Sequence, residues 1–225
     1  MLRVRLTYAK RGRACFIPHI AIPSVFTRSG GRAGVKFQLS EGFSPRPRIS
    51  LGPELPVGVP ALNEPFEVRV ASLSARDLSR WDLALPGGFF FTGALVESVP
   101  GTGSLNGQCE AASYLLALRG RDSTPLDAAL AEMREEGLIL HYREDAGPCF
   151  RCVVDNPARG GPGLFVKEFA KRGIIRGWAD LFMLRESVGR LVEQADLAPC
   201  VIPLADPSAH GWRPLADGNI SKGGA

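Results

Sequence analysis

The sequence predicts an α+β protein built from two halves, each with its strands and helices in the order βαββαβ and with an antiparallel sheet. Strand-like and helix-like patterns follow one another in this order in the first half, and the second half repeats the order as far as βαββα. A segment rich in glycine, serine and proline, residues 98–108, separates the two series. A chain of 225 residues is also long enough for two small domains, each with its own core.

The first half opens with a strand over residues 2–9, where Leu, Val, Leu and Tyr alternate with Arg, Arg and Thr. Residues 14–17 fit a short second strand. Residues 19–33 have apolar side chains at helical spacing, although the pair Gly30-Gly31 weakens the end of this helix. Residues 35–39 predict another short strand.

The pattern then continues with a strand over residues 65–71, where Phe, Val and Val alternate with Glu and Arg. A short helix follows, with Ser72 or Ser74 as its N-cap, because a serine hydroxyl can accept a hydrogen bond from the first turn. Residues 89–96 close the half as a strand. This order is that of the ferredoxin-like fold, a sheet with two helices on one face.

The second half repeats these patterns. Thr124 and Pro125 suit the N-cap and the first helical position of a helix that ends at Gly137. A turn around residues 144–147 joins two strands into a hairpin. The predicted elements are a strand over 112–118, a helix over 124–136, strands over 138–143 and 150–154, and a helix over 163–172.

We therefore assign tandem ferredoxin-like halves on element order alone, since no strong sequence repeat is visible. The first domain is residues 1–98, the second is residues 108–200, and residues 204–225 are predicted to form a flexible tail.

The composition indicates a globular protein, with 45% apolar residues and a mean hydropathy of +0.02. No stretch approaches the roughly 18 apolar residues that a membrane helix needs. The first residues alternate like a strand and lack the apolar core of a signal peptide. We expect a cytoplasmic protein that does not contact a membrane.

Positive charge is concentrated near the start of the chain. Residues 1–50 carry ten lysines and arginines against a single acid, Glu41, whereas the rest of the chain is acidic and the whole chain has a net charge of +4. This asymmetry favours an anionic partner for the first part, nucleic acid before membrane. The alternative is a solvated basic face that an acidic face balances elsewhere.

A proline-rich loop over residues 42–58 is the most distinctive stretch of the sequence. Each proline fixes its own φ and pushes the preceding residue towards extended geometry, so we expect a stiff loop. This loop presents Arg46 and Arg48, two residues apart, at a fixed place. Its framework residues are predicted to be Gly42, Pro45, Pro47, Gly52, Pro53 and Gly58.

The same region supplies candidate contacts to RNA. Arg28 and Arg32 lie four residues apart and would share a helix face. Phe37 and Phe43 are aromatic and could stack on bases, although their apolar neighbours favour core positions. The predicted nucleic-acid-binding residues are Arg28, Arg32, Arg46, Arg48 and Phe43.

His19 is the single candidate catalytic residue. A histidine beside basic groups and a bound phosphodiester can serve in acid–base cleavage of RNA, because it titrates near neutral pH. The alternative is a helix-capping or buried, hydrogen-bonded histidine, and the sequence offers no evident second base.

Metal and cofactor sites are not predicted. Cys149 and Cys152 have the spacing of some metal and redox sites, but a zinc site usually needs a second close pair. They also fall on a predicted strand, which would point them to opposite faces. Structural thiols are favoured. The sequence has no Walker loop, no glycine-rich dinucleotide motif and no nucleophile elbow.

A combined motif points to a known family. It consists of Phe16-x-x-His19, Phe26-x-Arg28, Arg32-Ala33-Gly34, Ser40-x-Gly42-Phe43-Ser44-Pro45-Arg46-Pro47-Arg48-Ile49 and Gly52-Pro53-x-Leu55-Pro56-x-Gly58. This motif resembles the DUF2344, or radical SAM-linked, family of uncharacterised bacterial proteins, closely over about residues 1–70. Members are often fused to, or encoded beside, a radical S-adenosylmethionine enzyme, and their genes often lie near those for ribonuclease G and ribosomal proteins.

The resemblance implies a radical S-adenosylmethionine protein and an RNA, tRNA or rRNA, as partners. Family members typically read His-Leu-Asp where this chain reads His19-Ile20-Ala21, so the acid that would partner the histidine is missing. We therefore expect an accessory RNA-binding module for RNA or ribosome-linked modification, and not an enzyme. Two alternatives stay open: a metal-independent endoribonuclease that uses His19, and a protein-only docking module for the radical enzyme.

Overall fold

The computed structural model describes residues 2–97, 103–120, 122–145, 147–194, 197–205, 213–214 and 220–221. These residues form a mixed α+β structure with one large, mostly antiparallel sheet and four α-helices. The strands of the sheet are β1 (Leu2–Lys10), β2 (Ile49–Leu51), β3 (Ala61–Val70), β4 (Phe89–Glu97), β5 (Ala111–Leu118), β6 (His141–Glu144), β7 (Phe150–Asp155), β8 (Leu181–Gln194) and β9 (Leu197–Pro203). The helices are α1 (Ile22–Ala33), α2 (Ala75–Leu83), α3 (Pro125–Glu135) and α4 (Pro162–Lys171).

The sheet joins the two halves of the chain. Its strand order is β4-β1-β3-β8-β5-β7-β6, with β2 paired to β3 and β9 paired to β8. The first half thus has the order β4-β1-β3-β2, and the second half has the equivalent order β8-β5-β7-β6. The two halves meet where β3 and β8 run parallel at Ala61 and Arg185. Next to this pair, the Asn63 amide donates to the Glu186 carbonyl oxygen at 2.9 Å.

Each half has its own buried apolar cluster. The first is rich in aromatic rings: Phe26 stacks on Phe66 with ring centroids 4.4 Å apart, and Trp81 meets Phe91 edge to face at 5.1 Å. The second cluster lies under α3 and α4. It also takes in residues from the first half, namely Leu55, Val59 and Ala61. The halves therefore share buried surface, as well as a sheet.

The back of the first half of the sheet is covered too. The strand pattern assigns Thr7 to the face opposite the apolar residues of β1, yet Thr7 is fully buried and its hydroxyl donates to the Ala205 carbonyl oxygen at 3.4 Å. Gly93 on β4 permits this crossing, because a side chain there would lie 2.5 Å from the same oxygen. The segment after β9 thus crosses this face of the sheet.

Most of the predicted elements are present, within a few residues at their ends. Of the helix predicted over 19–33, His19–Ala21 form a 3₁₀ turn and Ile22–Ala33 form α1, which ends where Gly34 adopts φ +83°. Ser74, rather than Ser72, caps α2: its hydroxyl accepts from the Asp77 N–H, and the Asp77 carboxylate accepts from the Ser74 N–H at 3.0 Å.

Some expectations about elements were wrong. Residues 14–17 do not form a strand, since a 3₁₀ turn spans Gly12–Phe16. The predicted strand over 35–39 is reduced to isolated bridges at Phe37 and Leu39. The sequence patterns also gave no prediction of β8 and β9, which complete the second half.

The predicted linker and tail fall partly outside the described residues. Of the linker over 98–108, residues 98–102 lie outside them, while Asn106–Gln108 form a 3₁₀ turn. Of the tail predicted from residue 204, Leu204 and Ala205 are buried. The two-residue strands β10 (Arg213–Pro214) and β11 (Ile220–Ser221) pair antiparallel. The other tail residues lie outside the described part.

Within the described residues, no helix is both long enough and apolar enough to cross a membrane.

Candidate functional site

Residues 36–51, which include the first part of the proline-rich loop, form a hairpin that we call the arm. Its two sides pair through backbone hydrogen bonds, from Ser40 N to the Arg46 oxygen at 2.8 Å and from Arg48 N to the Gln38 oxygen at 2.9 Å. Arg69 on β3 accepts from Gln38 N at 2.8 Å and donates to the Arg48 oxygen at 3.1 Å. The arm is thus an ordered hairpin that is fixed to the sheet.

The sequence of the arm explains its turn. Gly42 has φ +117°, a conformation that favours glycine. The Ser40 hydroxyl accepts from the Arg46 N–H at 3.1 Å and closes the turn. The tip carries Phe43, which is fully exposed, whereas Phe37 at the base packs edge to face on Trp81 at 5.5 Å. The expected core position is therefore correct for Phe37 and wrong for Phe43.

The second part of the proline-rich region is tied down by other contacts. The Gly52 N–H donates to the Pro65 oxygen at 3.0 Å, and the Gly58 N–H donates to the Cys15 oxygen at 2.8 Å. Gly52 lies so close to the Pro65 ring that a side chain would clash with it, and Gly58 has φ +89°. Of the predicted framework glycines, Gly52 thus allows a close backbone contact with Pro65, and Gly58 provides the positive φ of a turn.

An open groove lies between the arm and α1. Its volume is about 370 Å³. Arg28 reaches it from α1 and Arg46 reaches it from the arm, and both side chains are exposed. The remaining lining residues are Ile20, Pro23, Ser24, Thr27, Pro47 and Ile49. The groove therefore combines two cations, two hydroxyls and apolar walls.

Not all of the predicted contacts join this groove. Arg32 donates to the Ala84 carbonyl oxygen at the end of α2, at 2.7 Å, so it bridges the two helices. Arg48 is half-buried and does not line the groove. Phe43 lies at the arm tip, three residues from Arg46. The structure thus unites Arg28 with Arg46, while Arg32 is engaged elsewhere.

His19 lies directly before Ile20 at the edge of the groove, but its ring faces inwards. It is half-buried, and its Nδ1 has no hydrogen-bond partner among the described residues. Burial lowers the pKa of His19, with opposing charge effects from Glu64 and Arg185. The imidazole is therefore neutral at neutral pH and can serve as a base more readily than as an acid.

A buried ionic cluster lies behind His19, and sequence patterns did not reveal it. Arg185 on β8 is fully buried and its Nε donates to Glu64 on β3 at 2.6 Å, with a second, shorter contact from Nη2. The same guanidinium donates to the backbone oxygens of Pro53 at 2.9 Å and Glu54 at 3.2 Å. The second half thereby holds the end of the proline-rich region.

Lys10 adds a further buried cation near this pair. Its ammonium donates to the Ile17 carbonyl oxygen at 2.7 Å, and burial lowers the pKa of Lys10. The signal that could have indicated the cluster is a charged residue, Glu64 or Arg185, within a strand of otherwise buried side chains. A single charge of this kind requires a partner, but the sequence alone does not identify it.

The basic count of the first 50 residues overstates the free positive charge. Glu67 on β3 pairs with Arg3 at 2.8 Å and with Arg5 at 3.3 Å. Lys10 is buried, and Arg11 lies 4.6 Å from the centre of the Phe90 ring. The exposed basic residues of this region are Arg13 in the Gly12–Phe16 turn and four on α1 and the arm, namely Arg28, Arg32, Lys36 and Arg46.

The cysteines belong to the interior for the most part. Cys152 is buried on β7, and burial raises its pKa far above the usual range; burial also raises the pKa of Cys109 to about 12. Cys149 is half-buried just before the strand. The described residues contain no group of three or more His, Cys, Asp or Glu side chains arranged to hold a metal.

Comparisons with known proteins give one family. A family model described as "Uncharacterized protein conserved in bacteria (DUF2344)" matches residues 3–147. No curated protein matches the chain. One solved structure that matches is described as "Crystal structure of putative glycine cleavage system transcriptional repressor". It is 12% identical, with 82% of this chain and 98% of that chain covered, and its TM-score of 0.24 supports no inference about this chain.

Proposed function

The chain belongs to the DUF2344 family of bacterial proteins, and from this premise we propose that it is an accessory RNA-binding module that works with a radical S-adenosylmethionine enzyme. The RNA would be a tRNA or an rRNA, in the cytoplasm, and the partner enzyme would carry out the modification. The motif across the arm supports the link to the radical enzyme, because it resembles the radical SAM-linked proteins. The groove supports the binding of RNA.

The convergence of Arg28 and Arg46 carries this proposal. These residues come from different elements, a helix and a hairpin, yet both line one open groove. Two exposed guanidinium groups that face the same space suit a phosphodiester backbone, since arginine forms paired hydrogen bonds with phosphate oxygens. Release of counterions from the nucleic acid would then drive association.

Binding is favoured over cleavage by the position of His19. A nuclease that uses acid–base catalysis needs groups that both remove and donate a proton. His19 turns its Nδ1 into the protein, and burial lowers its pKa. Ala21 stands where the resembling family has an acid. We therefore assign His19 to the structure at the edge of the groove.

We also propose that the two halves are tandem ferredoxin-like units. The support is the equivalent strand order in the two halves, β4-β1-β3-β2 and β8-β5-β7-β6, each with two helices between its strands.

Fluorescence anisotropy with labelled tRNA and rRNA fragments tests the proposal. The double variant Arg28→Ala/Arg46→Ala should bind at least about tenfold more weakly than the unmodified chain, because two phosphate contacts are lost. Arg134→Ala is the matched control, since Arg134 is exposed on α3 in the other half. Equal affinities for the double variant and the control would contradict the proposal.

Two further results would select the alternatives. RNA cleavage that is lost in His19→Ala would identify an endoribonuclease. A stable complex with the radical enzyme after nuclease treatment, together with no measurable RNA affinity, would identify a protein-only docking module.

A further inference from the structure

Two exposed apolar side chains accompany the basic groove. Phe43 is fully exposed at the tip of the arm, and Ile20, which lines the groove, is 89% exposed. Placing large apolar groups in water gains nothing for folding, and such groups at a rim of charged residues often mark a contact surface. An anion held by Arg28 and Arg46 would lie in the same groove as Ile20, so a ligand that also offers apolar faces suits this site better than a purely polar one.

The arm keeps Phe43 close to Arg46. Three residues of extended chain span at most about 11 Å, so Phe43 lies within that reach of Arg46. The turn between them is closed by hydrogen bonds of Ser40 with Arg46, and Pro45 fixes its own φ within it. A ligand that binds at Arg46 can thus reach the Phe43 ring without a large rearrangement.

Unpaired nucleotides match this combination better than a duplex does. Their bases offer exposed aromatic faces, and stacking on protein aromatic rings is the usual basis of single-strand binding. In a duplex, the base faces are covered by neighbouring bases, so only phosphates and groove edges are accessible. The groove, at about 370 Å³, also lies within the size range of small-ligand sites.

We propose that the groove binds an unpaired segment of RNA, with a phosphate between Arg28 and Arg46 and an adjacent base stacked on Phe43. The hydroxyls of Ser24 and Thr27, which also line the groove, supply hydrogen-bonding groups for the ribose or the phosphate. This inference rests on the proposed RNA binding and specifies the class of RNA that the site accepts.

Binding of two labelled RNAs tests the inference: a short oligouridine, and a blunt RNA duplex of the same length. We expect the chain to prefer the oligouridine, and we expect Phe43→Ala to weaken that binding by about tenfold while changing duplex binding little. Phe43→Trp should retain the affinity, because it keeps an aromatic ring. Trp178→Ala is the control for removal of an exposed aromatic residue in the other half.

The outcomes separate this inference from the proposed function. Tighter binding of the duplex, or an equal effect of Phe43→Ala on both RNAs, would overturn the single-strand assignment while leaving RNA binding intact. Failure of the unmodified chain to bind either RNA would overturn both. The thermal unfolding midpoint of each variant is measured as well. A midpoint equal to that of the unmodified chain shows that a loss of affinity is not a loss of folding.

Discussion

Replacing Arg185 by methionine should lower the free energy of unfolding by about 3–5 kcal/mol. Arg185 is fully buried, and its guanidinium donates to Glu64 and to the backbone oxygens of Pro53 and Glu54. Methionine fills a similar volume but leaves the Glu64 carboxylate, which is 1% exposed, without its cation. An uncompensated buried charge is costlier than the lost hydrogen bonds alone.

Urea denaturation measures this effect through the midpoint and the slope. The double variant Glu64→Gln/Arg185→Met should recover much of the loss, because no buried charge is left, and the double-mutant cycle gives the coupling between the two side chains. Arg151→Met is the matched control, since Arg151 pairs with Glu186 and Asp145, each at 2.8 Å, but is 33% exposed. Its replacement should cost less than that of Arg185, about 1–2 kcal/mol, because solvent screens its pairs and its partners remain hydrated.

Two results would refute this reasoning. One is a loss for Arg185→Met that is no larger than the loss for Arg151→Met. The other is a double variant that is no more stable than the single one.

Three further predictions concern stability. Gly30→Ala should destabilise the chain by about 1–3 kcal/mol, because its methyl group would clash with the Phe37 ring, whereas Gly31→Ala in the same helix has free space and should stabilise it by about 0.5–1 kcal/mol. Burial raises the pKa of Asp82 from 3.8 to about 6, so the folded state binds the proton more tightly. The contribution of Asp82 to stability should therefore fall by about 1–2 kcal/mol as pH rises from about 4 to about 6. Asp82→Asn should remove this contribution, and a variant whose stability follows the same pH profile as the unmodified chain would contradict the prediction. Ser74→Ala should lower the free energy of unfolding, measured by urea denaturation, by about 1 kcal/mol through loss of the capping box, and no change would show that the cap is not needed.

The sequence predicted those helices and strands whose formation depends on local patterns. The alternation in β1 and β3 and the serine cap of α2 act over a few residues, so they predict structure without knowledge of the partner. β8 escaped prediction because Arg185 and Gly189 interrupt its apolar pattern. Burial of Arg185 is possible only because Glu64 lies opposite it, 121 residues earlier in the chain.

The candidate site was predictable in its residue types but not in its arrangement. Arg28 and Arg46 carried the charge that the composition indicated, and their convergence depends on how the arm docks on β3. Arg32 shares the helix with Arg28, yet the nearby end of α2 engages it. Phe43 is a large apolar residue, but the hairpin turn that begins at Ser40 places it outside the core.

The salt dependence of RNA binding tests the central claim most directly. The logarithm of the association constant should fall linearly with the logarithm of the salt concentration for the unmodified chain. Arg28→Ala/Arg46→Ala should reduce the slope by about one, for the phosphate that the two arginines hold, and Arg134→Ala should leave it unchanged. Equal slopes for the double variant and the unmodified chain would contradict the assignment of the groove as the RNA site.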